Sequence, residues 1–283
     1  MKSVVITGAS SGIGLGTAQV LVANGFRVFG SVRKEFDEKK LKSELGQNFE
    51  PFVMDLLDEQ SIQTAAQEIG RKLGHERLFG LINNAGIVSA APLALQRKDD
   101  FLAQINVNLV GPFLVTQAFL PLLGVDPNRT GESGRVINIS SVGGKMGGPF
   151  LGAYAAAKHG LEGMSESLRR ELAIYCIKVV IVGPGSVATP IWDKAKDRST
   201  SDFKGTAYEE SFTQFHKFIM EDSRSGLSPS DIGKVVYRAL TEPNPKVRYA
   251  VVRKKLLNWT LPNLLPRKWV DVFMTKNFSL IHK

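Results

Sequence analysis

Tyr154 and Lys158 stand four residues apart in Ala153-Tyr154-Ala155-Ala156-Ala157-Lys158. The alanines favour a helix, and an i, i+4 pair on a helix shares one face. A free phenol, with a pKa of ~10, is too weak a base at neutral pH. A neighbouring ammonium favours the phenolate, so the pair offers a proton donor and acceptor nearer the working pH. Ser141 lies thirteen residues earlier, at the end of the apolar run Val136–Ile139, where a hydroxyl can hold a substrate oxygen. Ser140 is its rival, because alternation along a strand lets only one of the two face the site. Asn108 falls in a helical stretch after Leu102–Val107. Its amide either bridges a water to Lys158 and relays protons, or caps and packs the helix. The Tyr-Lys spacing occurs by chance in many helices, so its weight depends on what surrounds it.

The glycines Gly8, Gly12 and Gly14 lie between a strand-like run, Val4–Ile6, and a helical pattern carrying Ala18, Leu21 and Val22. Glycines let the backbone approach a pyrophosphate, and a helix N-terminus offers free N–H groups and a positive dipole end. Ser10, Ser11 and Ile13 sit within the same turn. The spacing is not G-x-G-x-x-G, and no Gly-Lys-Ser/Thr follows, so nucleotide hydrolysis is not expected. The second strand ends Gly30-Ser31-Val32-Arg33-Lys34, with no acid before Glu35. An acid there binds the ribose hydroxyls of NAD, whereas Arg33 suits a 2′-phosphate. NADP(H) is therefore the preferred cofactor, with NAD(H) possible.

These residues need a scaffold. Strand-like runs at Val4–Ile6, Arg27–Val32, Phe52–Met54, Leu78–Ile82, Val136–Ile139 and Val179–Val182 alternate with helical stretches, and another strand is plausible at Val247–Val252. That alternation implies right-handed βαβ units and a parallel sheet. The 283 residues suffice for one large α/β domain, placed at 1–245. The polar stretch 188–227 breaks the rhythm and reads as a substrate-binding lid. Residues 246–283 form an extension with nine basic residues against one acid, Asp271, and hold most of the chain's net charge of +9. Its apolar residues, including Leu256, Leu257, Trp259, Trp269 and Phe273, suit either an anionic membrane surface or a cover for the pocket or a partner subunit.

Several classes are set aside. One cysteine, Cys176, permits no internal disulfide and no cysteine-based metal site, and it reads as a small buried hydrophobe before a strand. His75, His159, His216 and His282 lack metal-ligand spacing. No run approaches the ~18 to 20 apolar residues of a bilayer span, and Met1-Lys2 leads straight into a strand, so no signal peptide is expected. A cytoplasmic location, with possible peripheral membrane contact, follows. The basic tail carries no recognised nucleic-acid motif.

Taken together, the motifs resemble the short-chain dehydrogenase/reductase family. Thr7-Gly8-Ala9-Ser10-Ser11-Gly12-Ile13-Gly14 resembles its cofactor motif. Asn83-Asn84-Ala85-Gly86 resembles the motif after its fourth strand, and Pro184-Gly185-Ser186-Val187-Ala188-Thr189 its nicotinamide-contacting turn. Asn108, Ser141, Tyr154 and Lys158 match its catalytic tetrad in order and spacing. The resemblance implies an α/β, Rossmann-like doubly wound parallel sheet of about seven strands flanked by helices, in a single domain with a basic apolar C-terminal extension. It implies that Tyr154 exchanges the proton, Ser141 steadies the substrate oxygen, Lys158 holds the nicotinamide ribose and Asn108 supports the proton relay. Asp55 and Leu56 match adenine-contacting positions. Asn83, Ala85 and Gly86 match positions along the adenosine ribose, and Pro184, Gly185, Val187 and Thr189 match the nicotinamide end. No metal is implied. The family resemblance implies a homodimer or homotetramer, and residues Leu161–Leu172 resemble the hydroxysteroid and retinol dehydrogenase branch, which implies a lipophilic carbonyl or alcohol as substrate. The competing reading is a catalytically idle NADP(H)-binding redox sensor.

Overall fold

The computed structural model describes residues 1–191 and 200–280. Its centre is a seven-stranded sheet in the order β3-β2-β1-β4-β5-β6-β7, with every pairing parallel. The strands are β1 (Ser3–Ile6), β2 (Arg27–Val32), β3 (Phe49–Val53), β4 (Gly80–Asn83), β5 (Arg135–Ile139), β6 (Lys178–Pro184) and β7 (Arg248–Val251). Strands β1 and β4 are wholly buried, as continuous apolar runs covered on both faces must be. The third strand begins earlier than the run Phe52–Met54 suggested, and it contains Pro51. Proline cannot donate to a ladder, but β3 is an edge strand and tolerates the loss.

Helices α1 (Gly12–Ala23), α2 (Glu35–Leu45), α3 (Glu59–Leu73), α4 (Lys98–Ile105), α5 (Gly111–Leu120), α6 (Gly152–Glu171), α7 (Glu209–Arg224), α8 (Pro229–Thr241) and α9 (Arg267–Asn277) surround the sheet. One core packs α1 and α8 on one face through Leu21, Val28, Ile232 and Val236. The other packs α3 and α5 on the opposite face through Phe29, Ile62, Phe119 and Val136. Helix α8 begins with a reciprocal cap between Ser228 and Asp231, followed by Pro229 at its first position.

Neighbours of β1 lead in opposite directions, to β2 and β3 on one side and to β4 through β7 on the other. At such a reversal the loops leaving the strand ends part and open a crevice. The turns that follow β1, β4 and β5 meet there.

Two expectations are corrected. Cys176 is exposed, not buried: it ends the turn after α6 in a left-handed conformation, φ 56°, and burial begins only with Ile177, the residue before β6. The helical run Lys98–Val125 is also long and apolar enough to cross a membrane by composition, a possibility that counting unbroken apolar residues missed. In this fold, Val115, Phe119, Leu122 and Leu123 of that run belong to the core under the sheet.

The seventh strand falls inside 246–283, so the first residues of that segment complete the sheet. A third apolar cluster lies beyond the strand ends. Phe203 and helix α7, through Phe212 and Phe215, pack with Ala91, Phe150 and Phe278. The Phe203 and Phe212 rings meet edge-on at 4.6 Å. The Ser211 hydroxyl donates to the Ser279 carbonyl at 3.0 Å, and the Ser279 hydroxyl to Gln214 at 3.1 Å. Helix α7 is therefore fastened to residues just beyond α9. Part of the expected lid, residues 192–199, lies outside the described residues.

Candidate active site

The crevice holds a cavity of about 280 Å³. Gly8, Ser10, Ser11, Gly12 and Ile13 line it from the turn after β1. Gly8 has φ 68°, a left-handed conformation that glycine adopts without penalty. Its N–H donates to the Ser31 hydroxyl at 2.9 Å, which pins the turn to β2. A side chain at Gly14 would place its Cβ 2.1 Å from the Gly8 carbonyl, so only glycine lets α1 start this close to the turn. The first turn of α1 carries no acid, and its cap residue Ser11 makes no side-chain bond to the helix N–H groups. Those donors face the cavity beside a positive dipole end, and the donor set fits the diphosphate of a dinucleotide.

At the far end, exposed Arg33 lines the cavity with Asp55 and Leu56. Asp55 accepts from the Leu57 N–H at 2.9 Å and so orders its own turn. Ala85 and Gly86 line the middle. Asn83, named from the sequence, does not: its side chain is buried and donates to Thr116 and Asn138. Its neighbour Asn84 lines the cavity instead and donates to the carbonyls of Thr7 and Gly8 at 2.9 and 3.1 Å. The Thr7 hydroxyl accepts from the N–H groups of Asn84 and Ala85 at 2.9 and 3.0 Å, joining the ends of β1 and β4.

Tyr154 and Lys158 face the cavity from α6, with the ammonium 5.8 Å from the phenol ring centre. Lys158 is buried and donates to the Ile139 carbonyl at 2.9 Å. Burial lowers its pKa to about 8. The phenol is pushed above its ordinary value by burial, which outweighs the opposing effect of the nearby Ser141 hydroxyl. The expected lowering by the ammonium is thus not the dominant influence on the phenol, because the same burial penalises both charged forms.

Ser140 and Ser141 take different partners, and it is Ser140, the rival named from the sequence, that lines the cavity, while Ser141 lies just outside its lining. The Ser140 hydroxyl donates to Glu162 at 2.9 Å. The Ser141 oxygen accepts from the Gly143 N–H at 3.0 Å, which leaves its own proton for another acceptor. A Cβ built at Gly143 would lie 3.5 Å from both Ser141 Oγ and a Tyr154 ring carbon, so both groups border one small space. Asn108 lines the cavity from a π-helical turn, Asn106–Val110, between α4 and α5. Its amide accepts from the Ile87 N–H at 3.0 Å and donates to the Ile87 carbonyl at 2.8 Å. A Cβ at Gly86 would come within 2.7 Å of the Asn108 oxygen and 3.8 Å of the Lys158 nitrogen.

Thr189 lines the cavity together with Pro190 and Ile191. Pro184, Gly185 and Val187 support that turn without lining the cavity: Gly185 donates to Val251, and Val187 is buried and bridges to Leu227. The family model described as short chain dehydrogenase matches residues 2–200. The chain belongs to the short chain dehydrogenase family. Its expected fold is therefore the observed one, and the protein is an oxidoreductase of that family.

The most informative relatives cover nearly the whole protein. An NADPH-dependent 3-dehydrocapnine reductase of Ornithobacterium rhinotracheale is 36% identical over 99% of this chain and 98% of its own. Retinol dehydrogenase 16 of Mus musculus is 32% identical over 96% of this chain and 87% of its own. Among solved structures, a single-substitution variant of actinorhodin polyketide ketoreductase with NADPH is 29% identical, with a TM-score of 0.75 over 91% of this chain and 98% of its own.

Several residues at the site escaped the sequence reading. Asn84 was hidden by its twin Asn83, although the strand's end at Asn83 marks where the chain turns toward the crevice. Ser31, Met54, Ile87, Val107 and Ile139 line the cavity without a distinctive residue type. Glu162 and Arg248 are separated by 86 residues and meet only through the fold.

Proposed function

We propose that this protein interconverts a lipophilic carbonyl compound and its alcohol with NADP(H), Tyr154 being the proton donor and acceptor. The observation that carries the reading is the convergence of Tyr154, Lys158 and Asn108 on one cavity that also holds an uncapped helix N-terminus and Arg33. The nicotinamide supplies or accepts the hydride. In the reductive direction the Tyr154 hydroxyl gives its proton to the carbonyl oxygen as that oxygen becomes an alcohol. The Ser141 hydroxyl donates a hydrogen bond to the same oxygen, and its Gly143 contact fixes its orientation. Lys158 binds ribose hydroxyls with the donor positions left beside its bond to Ile139, and its charge favours the phenolate left behind. Asn108 holds the Ile87 backbone and keeps Gly86 against the site. Gly8, Ser10, Ser11, Gly12 and Ile13 cradle the diphosphate, Asp55, Leu56, Ala85 and Gly86 border the adenosine, and Pro184–Thr189 shape the nicotinamide end.

The apolar character of the substrate is supported by the aromatic cluster of Phe150, Phe203, Phe212 and Phe215 beyond the strand ends, within the proposed lid 188–227 and its contacts. The similar proteins include a polyketide ketoreductase and a retinol dehydrogenase, and the 3-dehydrocapnine reductase is named as NADPH-dependent. Purified protein should quench or enhance NADPH fluorescence and oxidise NADPH with a panel of long-chain ketones, aldehydes and retinal. Binding without turnover on every substrate would favour the redox-sensor reading.

Two surfaces bear on partners. Leu102, Val110 and Phe113 are exposed along one side of the α4–α5 run, a face suited to a second copy of this chain as a homodimer or homotetramer. Leu256, Leu257, Leu264, Trp269 and Phe273 are exposed beside Arg253, Lys254, Lys255, Arg267 and Lys268, a composition suited to peripheral contact with an anionic bilayer from the cytoplasmic side. Trp269→Ser with Phe273→Ser should abolish co-sedimentation with anionic vesicles. Retained sedimentation would exclude that surface.

A further inference from the structure

Beneath the serine turn lies a charged cluster that the reaction scheme above does not use. Glu162 is 2% exposed and sits on α6, one turn past Lys158, so that Tyr154, Lys158 and Glu162 follow at i, i+4 and i+8. It receives Arg248 in a fork, Nε at 3.0 and 3.1 Å and Nη2 at 2.9 Å. Lys145 lies 3.2 Å away, and the Ser140 hydroxyl completes the set. The same Arg248 Nη2 donates to the Ser141 main-chain carbonyl at 3.1 Å. The guanidinium is roofed by the Trp259 ring at 4.2 Å.

The surroundings are cut to fit this cluster. A Cβ at Gly183 would stand 2.4 Å from Arg248 Nη2, and one at Gly144 would stand 2.5 Å from Ser140 Oγ and 2.6 Å from Glu162 Oε1. A buried ion pair seldom adds net stability over apolar packing, so stability alone is a poor account of it. Its geometry offers another. One end is rooted in the helix that carries Tyr154, and the other grips the residue whose hydroxyl meets the substrate oxygen.

We infer that Arg248, held by Glu162, is a positioning residue that fixes Ser141 relative to Tyr154, so that proton donation and carbonyl orientation stay in register. The inference rests on the proposed reaction. Arg248 touches Ser141 through the backbone, not the reacting atoms, and Trp259 holds its exposed side in place.

Removing one charge alone would strand the other, so the decisive variant is the double replacement Arg248→Met/Glu162→Leu, alongside Arg248→Lys and Tyr154→Phe. Each is measured by thermal melting, NADPH titration, steady-state kinetics on the best ketone of the panel, and turnover with NADPH deuterated at the transferred position. The double variant is expected to melt cooperatively and bind NADPH within about threefold of the parent. Its kcat per NADPH-binding site should fall at least tenfold, with KM changed less than threefold and an enlarged deuterium effect on kcat. Arg248→Lys keeps the charge without the fork and should recover only part of the rate. A folded double variant with parental kcat and isotope effect would overturn the positioning role, as would loss confined to melting temperature. If Tyr154→Phe itself retained turnover, the proposed reaction would fail instead, so the two failures are distinguishable.

Discussion

Replacing Lys158 with methionine should make the cofactor-free protein more stable while making it useless. In the folded protein burial holds the Lys158 pKa at about 8, against 10.5 for the unperturbed side chain. The unfolded chain therefore binds more protons than the folded one between those values, and the folded state is penalised for burying a charge below pH 8. At 1.36 kcal/mol per unit, the penalty is about 3 kcal/mol at pH 7, about 2 at pH 9 and close to zero above 10.5. The variant also loses the donor to the Ile139 carbonyl, a bond worth about 1 kcal/mol. A net gain of about 2 kcal/mol should remain at pH 7, vanish near pH 10 and turn into a small loss beyond it. Denaturant unfolding of both proteins at a series of pH values reads this difference directly. A Lys158→Met protein less stable than the parent at pH 7, or a difference independent of pH, would refute the assignment of Lys158 as a buried charge. The same variant should lose NADPH protection in a thermal shift.

Three other outcomes are expected. Tyr154→Phe should lower kcat by about 10²- to 10⁴-fold with NADPH affinity retained, measured by fluorescence titration beside initial rates. Arg33→Ala should weaken NADPH by about tenfold or more, the worth of a charge-assisted contact, and leave NADH nearly unchanged; equal losses would remove Arg33 from cofactor selection. Cys176→Gly should raise the unfolding free energy by up to about 1 kcal/mol, because Cys176 is exposed with φ 56°, where a side chain is strained.

Local signals made much of the fold legible. Apolar runs alternating with helical stretches specify the parallel sheet, and Gly8, Gly12 and Gly14 place the crevice at the first turn. Pro51 obscured the start of β3 because a sequence does not say which strand lies at an edge. Cys176 was misread because proximity to a strand says nothing of the turn that precedes it. Tyr154 and Lys158 were legible from spacing, but their proton affinities were not, since burial depends on the whole fold packed around them. Arg248 was the hardest to see: it reads as one more cation in a basic segment, and only the adjacency of β6 and β7 brings it over Ser141.

The fastening of α7 to residues 278–279 has a mechanical corollary. Phe278 meets both Phe215 and Phe218 edge-on, and two serine hydrogen bonds reinforce the joint. These contacts tie α7 to the residues that follow α9. Amide exchange in α7 should therefore quicken whenever the contacts around Phe278 are loosened, even with the sheet beneath untouched.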